Sequence, residues 1–318
     1  MPPLRVLAAV HILSRVHTAV SLRVRSVTLL RTMSSKTSPL VTAAWLKDAI
    51  EKKEPNLQVL DASWHMPAFK RDAPKEYAEK HIPTAQFWQI GAYKSELATP
   101  EKFGEDLGKL GVGNDTHVVV YDSNPTFGLF SAPRAWWLLR YYGHENVSIL
   151  DGGFPKWEEA GYETTDVVDK VEPKTFKANP NAALLRTMAD IDANVENKKF
   201  TVIDGRPAGR FLGTSPEPRP DIKPGHVKGA ISIPFTVLID PKTKMMKSAD
   251  DIYQVFKNSA GSLEDTPIVA MCGSGVTACF PVLGAYICGH EAVPLYDGSW
   301  TEYFLKGKPE NMVLPGEQ

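Results

Sequence analysis

The chain has 318 residues, of which 43% are hydrophobic, so it is long enough to form two globular domains. Its formal net charge of −1 gives no basic surplus of the kind that nucleic-acid-binding proteins use, and we expect no nucleic-acid partner. Three cysteines are too few for a disulfide framework, and their spacing matches no zinc motif. We therefore expect a reducing compartment and no bound metal.

The first 35 residues differ in composition from the rest of the chain. They contain five arginines and no acidic residue, and the first acid of the chain is Asp48. This composition is typical of a mitochondrial transit peptide, whereas arginines interrupt every apolar run that a secretory signal would need. The sequence predicts a mitochondrial transit peptide at residues 1–35. The alternative is a disordered N-terminal extension without a targeting function. Met33 could serve as an internal start and give a cytoplasmic form.

Strand and helix patterns alternate through residues 37–162, the predicted N-terminal domain. Its first helix is capped by Thr42 and places four residues on one face: Trp45, Leu46, Ala49 and Ile50. The later elements, in chain order, are a strand at 57–61, the His81 turn into a short strand, a helix opened by Pro100, a strand at 118–122, a helix that includes 135–139 and a strand from 147 that ends in a turn at 153.

Residues 186–310, the predicted C-terminal domain, repeat this order of elements after a charged, proline-containing linker at 163–185. The matching elements are a helix capped by Thr187, a strand at 200–204, the turn at His226, a helix capped by Ser248, a strand at 267–271, a helix at 279–287 and a final strand that ends at Asp297 and Gly298. The recurrence of these elements in the same order indicates a tandem duplication. Strands that alternate with helices predict a parallel α/β sheet in each half.

Cys272 follows the apolar strand at 267–271 and precedes the helix at 279–287. The loop between them reads Cys-Gly-Ser-Gly-Val-Thr-Ala-Cys from Cys272 to Cys279. The first N–H groups of a helix lack intrahelical partners and favour a thiolate nearby. Gly273 and Gly275 allow several loop N–H groups to converge on an anion. We predict a reactive thiol here, against the alternative of a packed core cysteine.

Residues 268–289 carry no charge and could be mistaken for a membrane span. The stretch contains Pro281 and several glycines, all of which a strand, loop and helix would use. We therefore expect no membrane segment.

The duplication supplies an internal control for the reactive thiol. Where the second half carries Cys272, the first half carries Asp122. A carboxylate can neither carry a sulfur atom nor attack one, so we expect only the second half to react. Because ligands of open α/β sheets bind at the carboxyl ends of the strands, Cys272 should face the cleft between the halves.

Tandem α/β halves with a single reactive cysteine in the second half resemble the rhodanese superfamily of sulfurtransferases. The resemblance extends over about residues 38–305 and implies two rhodanese-like domains, each a central parallel sheet flanked by helices, with the first domain non-catalytic. Within the superfamily, the loop is similar to that of the 3-mercaptopyruvate sulfurtransferases. Thiosulfate sulfurtransferases usually carry basic residues after the cysteine, where this chain has the neutral Gly273 and Ser274.

The resemblance also implies roles for single residues. The implied catalytic residues are Cys272, Ser274 and Thr277. The persulfide would be held by the loop that also includes Gly273, Gly275 and Val276. The implied substrate-binding residues are Arg210 and Arg219. An arginine fork suits the carboxylate of an α-keto acid, although one of the two could instead pair only with Glu217 or the domain interface. We expect structural roles for Arg206, His81 and His226.

The implied reaction moves sulfur from 3-mercaptopyruvate through a Cys272 persulfide to a thiol acceptor such as thioredoxin, or to cyanide. It releases pyruvate, supports hydrogen sulfide production in cysteine catabolism, and needs no cofactor. The alternatives are a thiosulfate sulfurtransferase and a non-catalytic sulfur-carrier or interaction module. A phosphatase is disfavoured, because Ala278 stands where such loops end in arginine.

One feature of the resembling enzymes is missing. Animal mercaptopyruvate sulfurtransferases have an aspartate and a histidine, after the first His-Ile-Pro turn, that could relay a proton to the loop serine. The corresponding residues 87–97 contain no histidine, so the relay cannot be carried over. We expect Cys279 and Cys288 to be packed rather than regulatory.

Overall fold

The computed structural model describes residues 37–93, 97–263, 265 and 267–316. The predicted transit peptide at 1–35 lies outside these residues. The described residues belong to one compact unit. Among them, no helix is both long and apolar enough to span a bilayer.

The first half of the chain forms a five-stranded parallel sheet flanked by helices. Its strands are β1 (Leu40–Val41), β2 (Leu57–Asp61), β3 (Gln86–Phe87), β4 (His117–Tyr121) and β5 (Val147–Leu150). Its helices are α1 (Ala43–Glu51), α2 (Ala73–Glu79), α3 (Pro100–Lys109), α4 (Ala132–Tyr141) and α5 (Gly153–Glu159), with short 3₁₀ turns at Pro67–Phe69 and Ile90–Tyr93. The strand order is β1-β5-β4-β2-β3.

The second half forms another five-stranded parallel sheet. The strands of this half are β6 (Leu185–Arg186), β7 (Thr201–Asp204), β8 (His226–Val227), β9 (Ile231–Ser232), β10 (Ile268–Met271), β11 (Leu295–Tyr296) and β12 (Met312–Val313). Its helices are α6 (Met188–Asn197), α7 (Ala208–Phe211), α8 (Ala249–Ala260), α9 (Cys279–Ile287) and α10 (Ser299–Lys306), with 3₁₀ turns at Ala182–Leu184, Phe235–Leu238 and Pro309–Asn311. The main sheet has the order β6-β11-β10-β7-β9, and β8 pairs separately with β12.

The two main sheets have the same topology. In each, the order across the sheet is first, fifth, fourth, second and third strand along the chain. The register agrees as well, since Tyr121 pairs with Asp61 in one sheet and Met271 pairs with Asp204 in the other. The predicted tandem duplication and α/β fold class are confirmed.

Local sequence signals set the helix starts. The side chains of Thr42, Thr99 and Ser248 each accept a backbone N–H from the first turn of their helix, at 3.1, 3.3 and 3.2 Å. Thr187 and Asp190 form a reciprocal capping box. These helices begin where the sequence predicts.

The predicted inner face of α1 is partly wrong. Leu46 is fully buried and Ala49 is 6% exposed, but Trp45 is 40% exposed. Successive helical residues point about 100° apart, so the buried stripe centred on Leu46 leaves Trp45 at its edge. The Trp45 ring instead lies against His117 with the ring centroids 5.5 Å apart.

The predicted linker at 163–185 lies against the first half. Phe176 is buried, and a Cβ atom at Gly104 of α3 would be 2.5 Å from the Phe176 carbonyl oxygen. The absence of a side chain at Gly104 therefore allows the linker to approach the helix. Leu185, the last residue of the predicted linker, lies in β6.

Helices α4 and α9 pack against each other and join the two halves in one apolar core. Trp136 of α4 meets Tyr286 of α9 edge-on, with ring centroids 5.1 Å apart. The Arg140 guanidinium lies 4.8 and 4.4 Å from these two ring centroids. Because the loop after β10 leads into α9, it lies beside this interface.

Candidate active site

Cys272 directly follows the last residue of β10, at the carboxyl end of the sheet. It is 2% exposed. Its N–H donates to the Ser299 hydroxyl at 3.0 Å, and its carbonyl accepts the Trp300 N–H at 2.9 Å. The first turn of α10 thus fixes the backbone on both sides of the Cys272 side chain.

The backbone of the loop is unusually rich in N–H groups that lack a partner. Within the described residues, no acceptor is recorded for the N–H groups of five loop positions: Gly273, Ser274, Val276, Thr277 and Ala278. Buried N–H groups are nearly always paired in folded proteins. Gly275, at φ +76°, turns the backbone through a left-handed conformation in the middle of this segment. The arrangement suits an anion held at the head of α9.

Ser274 and Thr277 differ from the rest of the loop in exposure. Both are half-buried, whereas the other residues from Cys272 to Ala278 are buried. The two hydroxyl residues that the resemblance singled out are therefore the more exposed residues of the loop, and Ser274 lines both clefts described below.

Ser299 is a site residue that the sequence did not reveal. It is fully buried, and its hydroxyl accepts the N–H groups of Cys272 and Gly275, at 3.0 and 3.1 Å, while donating to the Tyr296 carbonyl at 2.9 Å. Its φ of +54° is a left-handed conformation that costs a non-glycine residue about 1–2 kcal/mol. The internal repeat offered a signal, because the aligned residue in the first half is Gly153, at φ +61°.

Asp122 occupies the place of Cys272 in the first half. The Asp122 carbonyl accepts the Phe154 N–H at 2.9 Å, as the Cys272 carbonyl accepts the Trp300 N–H. Burial raises the pKa of the Asp122 carboxyl, and four backbone N–H groups of its own loop oppose that rise. Three of them, from Phe130, Ser131 and Ala132 at the head of α4, bind the same oxygen at 2.7–2.8 Å, and the fourth is that of Asn124, at 3.1 Å.

Arg210 lies directly over the loop that follows Cys272. A Cβ atom at Gly273 would be 2.8 Å from its Nη2. Its Nε and Nη2 donate to Glu217 at 3.1 and 2.8 Å, and Glu217 also pairs with Arg206 at 2.7 Å. Arg206 is fully buried against Asp204 at 2.5 Å, so it has the structural role that we predicted. Arg210 thus pairs with Glu217, and the pair fixes Arg210 above the loop, while its predicted contact with substrate stays a prediction.

Arg219 has a different environment. Its Nη1 donates to the Thr301 hydroxyl at 2.6 Å, which in turn donates to the Gly273 carbonyl at 2.6 Å. No carboxylate among the described residues forms an ion pair with it. Arg219 therefore brings an uncompensated positive charge to the loop, and Thr301 joins the site although sequence reasoning did not identify it.

Two clefts meet at Ser274 and Arg219. The smaller, of about 170 Å³, lies between the halves; its wall from the first half is Trp64, Met66, Pro67 and Ala68, and its wall from the second is Arg210, Glu217, Pro218, Arg219, Gly273 and Ser274. The larger, of about 600 Å³, opens along α10 and includes Asp297, Thr301 and Leu305. The loop after Cys272 thus lies at the boundary between the halves, and Cys272 itself lines neither of these two clefts.

The other cysteines are packed, as predicted. Cys279 is fully buried, its thiol donates to the Gly275 carbonyl at 3.3 Å, and burial raises its pKa. Cys288 is half-buried, and its thiol donates to the Ala249 carbonyl at 3.4 Å. Within the described residues, no cluster of three or more His, Cys, Asp or Glu side chains is placed to hold a metal ion.

The two repeated histidines have the predicted structural roles. His81 is fully buried, with its ring nitrogens 2.7 and 3.2 Å from the carbonyls of Tyr77 and Val167. His226 stacks on Phe211 at 3.9 Å and contacts its carbonyl at 2.9 Å. Neither lines the clefts at the loop.

Comparison with known proteins assigns the chain to a family. The rhodanese-like domain family matches residues 42–160 and 187–306. The chain belongs to the rhodanese family. In this rhodanese-family chain, the second matched segment contains Cys272, Arg210 and Arg219. The first contains Asp122 and the residues, including Trp64, that line the first half's side of the smaller cleft.

Relatives at similar distance differ in their named donor. The human 3-mercaptopyruvate sulfurtransferase is 43% identical over 87% of this rhodanese-family chain and 95% of its own length. The rat thiosulfate sulfurtransferase is 41% identical over 87% of the chain and 96% of its own length. The crystal structure of SseA, a 3-mercaptopyruvate sulfotransferase of Escherichia coli, superposes with a TM-score of 0.73 at 35% identity, covering 83% of this chain and 99% of its own.

Proposed function

We propose that this protein is a 3-mercaptopyruvate sulfurtransferase. One observation carries the choice of donor: within the described residues, the segment after Cys272 is neutral, five of its N–H groups have no recorded acceptor, and Arg219 at its mouth forms no ion pair with a carboxylate. This distribution suits a small keto acid with one carboxylate and a sulfur atom at the other end. Sequence identity alone does not distinguish the two donors, because relatives named for either donor are about equally similar to this chain.

The first half-reaction loads the sulfur. The Cys272 thiolate attacks the donor sulfur, the carbon–sulfur bond breaks, and pyruvate leaves as its enolate. The proton from the donor thiol ends on that enolate, so Cys272 carries an anionic persulfide and pyruvate departs as the keto acid. The unpaired N–H groups of the loop, with the Thr277 hydroxyl, stabilise the persulfide anion.

The arginines and the apolar wall orient the donor. Arg219 binds the carboxylate, and Arg210, held by Glu217, adds positive charge from above the loop. Ser274 donates a hydrogen bond to the keto oxygen, on which charge builds as the enolate forms. Trp64 lies on the other side of the cleft and limits the access of water to the carbon–sulfur bond.

The second half-reaction passes the outer sulfur to an acceptor. A thiolate attacks it, the sulfur–sulfur bond to Cys272 breaks, and the Cys272 thiolate is regenerated. When the acceptor is a dithiol such as thioredoxin, its second thiol displaces hydrogen sulfide and a disulfide forms. Cyanide would accept the same sulfur as thiocyanate. The chemistry needs no cofactor.

We also propose mitochondrial import, directed by residues 1–35 and followed by their removal. The five arginines of this segment, and its lack of any acidic residue, support a mitochondrial localisation. Initiation at Met33 would add a cytoplasmic form. Fusing the segment to a fluorescent reporter tests the proposal: mitochondrial signal is expected, and a diffuse cytosolic signal alone would reject it.

The donor assignment is tested by steady-state kinetics with 3-mercaptopyruvate and thiosulfate under one acceptor. We expect a kcat/KM at least tenfold higher for 3-mercaptopyruvate, and intact-mass spectrometry should show one added sulfur after either productive donor. A preference for thiosulfate would favour the second candidate, which the 41% identity to the rat enzyme supports. Persulfide formation without turnover would indicate a sulfur carrier.

A further inference from the structure

Arg134 belongs to α4 of the first half but contacts the catalytic loop of the second. It is 1% exposed. Its Nη1 lies 2.5 Å from an Asp297 carboxylate oxygen and donates to the Gly275 carbonyl at 3.4 Å. Its Nη2 donates to the Tyr93 carbonyl at 2.7 Å, and its guanidinium lies 4.8 Å from the Trp137 ring centroid. The ion pair therefore spans the two halves.

The pair lies directly beneath the loop. A Cβ atom at Gly275 would be 2.5 Å from the Asp297 carboxylate and 3.1 Å from Arg134 Nη1. Asp297 also begins the turn that ends at Ser299, whose hydroxyl holds the Cys272 N–H. Arg134 thus contacts the loop directly through Gly275 and indirectly through the turn that carries Ser299.

A buried arginine is costly and needs a compensating contact. Burial works against the charged guanidinium, yet the pKa of Arg134 is raised, because the carboxylate of Asp297 and both loop cysteines interact with it electrostatically. The guanidinium and the Cys279 thiol donate to the same Gly275 carbonyl, at 3.4 and 3.3 Å, so the charge lies within the loop, three residues from Cys272. A positive charge favours a thiolate, and the carboxylate beside it disfavours one.

The internal repeat shows that this arginine is not required by the fold. Asp151 of the first half aligns with Asp297, but the residue aligned with Arg134 is Phe280. The Asp151 carboxylate accepts the Met246 N–H at 2.8 Å, and burial raises its pKa to about 6. The same fold position is thus occupied without an arginine in the half that carries no reactive cysteine.

We propose that Arg134, supplied by the non-catalytic half, is a positioning residue of the catalytic loop and that the Arg134–Asp297 charge balance sets how readily Cys272 ionises. This inference rests on Cys272 being the reacting thiol of the proposed function. The groups around the loop that could also contribute are Cys279 from α9, Asp204 from β7, Arg206 just after that strand, Arg210 from α7, and Glu217 and Arg219 from the segment after α7. Of these groups, Cys279 interacts directly with Arg134.

The test measures the pH dependence of Cys272 alkylation by iodoacetamide, read at the Cys272 peptide. Arg134→Met should move the alkylation midpoint up by about one pH unit, which is about tenfold in rate below the midpoint. Asp297→Asn should move it down by a similar amount, and the double variant should return close to the wild type. Arg134→Lys, which keeps the charge, should restore most of the midpoint.

Asp151→Asn is the matched control. It removes the aligned carboxylate, which does not contact the loop, and should leave the midpoint unchanged. Midpoints that shift in the same direction in Arg134→Met and Asp297→Asn, or that do not shift at all, would overturn the proposal. Because Asp297→Asn keeps the shape of the side chain, its predicted downward shift remains decisive if Arg134→Met fails to fold. Alkylation is read without any donor, so a wrong donor assignment does not affect the result.

Discussion

The two halves place different groups in the same pocket of backbone N–H donors. In the first half, the Asp122 carboxylate binds four N–H groups of its own loop. In the second half, Cys272 stands at the aligned position, and N–H groups of the loop have no acceptor among the described residues. The duplicated fold thus builds the same group of N–H donors twice, with the Asp122 carboxylate bound in one copy and, among the described residues, no acceptor in the other; the proposed persulfide would occupy that place.

The comparison extends to the turn that holds each loop. Gly153 and Ser299 both have left-handed backbones, at φ +61° and +54°, and only the serine adds a hydroxyl that binds the loop N–H groups. The catalytic half retains a backbone conformation that is unfavourable for serine and gains a fixed Cys272. Strain of this kind is found at functional sites.

A third comparison concerns the buried carboxylates of Asp61 and Asp204, which lie at aligned positions of the two halves. Asp204 of the second half pairs with Arg206, two residues on, at 2.5 Å. Asp61 of the first half has the neutral Ser63 at the aligned position, whose backbone N–H donates to the Asp61 carboxylate at 2.9 Å. Arg206 also fixes Glu217 and through it Arg210, so the second half uses its buried arginine to hold Arg210 above the loop that follows Cys272.

The largest effect is expected from Cys272→Ser. A serine hydroxyl is neither nucleophilic enough to attack the donor sulfur nor able to carry it, so turnover should vanish. Sulfurtransferase assays with 3-mercaptopyruvate measure this, and Asp122→Asn, changed at the aligned position of the first half, is the control that should retain turnover. Residual turnover well above background in Cys272→Ser would place the chemistry elsewhere.

Arg219→Ala should have the second-largest effect on turnover. Loss of one partner of a buried charge contact costs roughly 2–5 kcal/mol, which is about 30- to several-thousand-fold in kcat/KM. Arg210→Ala should also impair use of the keto acid. It should do so less than Arg219→Ala, because Glu217 already offsets the Arg210 charge. Unchanged kcat/KM in both variants would refute their role in binding the donor.

Ser274→Ala should have a smaller effect. A serine without a relay is a poor acid, and within the described residues no histidine lines the clefts beside Ser274. One donor to a developing oxyanion contributes about 10²–10³ in rate at most, and we expect about 10² or less here. The measurement is kcat with 3-mercaptopyruvate. A variant as inactive as Cys272→Ser would reveal a relay that the described residues do not show.

Ser299 provides a matched pair of variants. Both Ser299→Gly and Ser299→Ala remove the hydroxyl that fixes the loop, which should lower kcat about tenfold for two lost hydrogen bonds. Only glycine relieves the left-handed backbone, so Ser299→Ala should be less stable by about 1 kcal/mol. Urea unfolding measures the difference. Greater stability of the alanine variant would show that the positive φ stores no strain.

Asp61 should affect stability and not turnover. Burial raises its pKa to about 6 in the folded protein, from an ordinary value of 3.8. The folded state therefore binds the proton more tightly, and the stability contributed by this group is present below about pH 4 and lost as the pH rises through about 6. The free energy of unfolding of Asp61→Asn, relative to the wild type, should thus rise by on the order of 2 kcal/mol between pH 4 and pH 8.

The matched control for that prediction is Asp204→Asn. It leaves the buried Arg206 without one of its two carboxylates and should destabilise the protein at pH 8, where Asp61→Asn should not. Equal responses of the two variants would show that Ser63 and Arg206 make no difference to the buried carboxylates.

Local signals made the fold predictable, and long-range contacts limited the prediction of the site. The caps at Thr42 and Thr187 involve residues within one turn, and short, mainly apolar runs identified β2 and β10. The Arg134–Asp297 pair joins residues from different halves that no local pattern connects.

Ser299 could have been found from the repeat alone. Its alignment with Gly153 placed a serine where the other copy needs glycine, and such a replacement signals either strain or a function. The prediction that Trp45 is buried was wrong for a different reason. A periodic apolar pattern shows which residues lie near one face of a helix, but it does not show where the buried face ends.

The most direct test of the two-halves account is to locate the transferred sulfur. The wild-type protein is treated with 3-mercaptopyruvate without an acceptor, digested, and its cysteine peptides are analysed by mass spectrometry. The account predicts one added sulfur per chain, on the peptide that contains Cys272, and its removal by cyanide. Sulfur that remained on Cys279 or Cys288 in the Cys272→Ser variant, or more than one stable sulfur per chain, would contradict it.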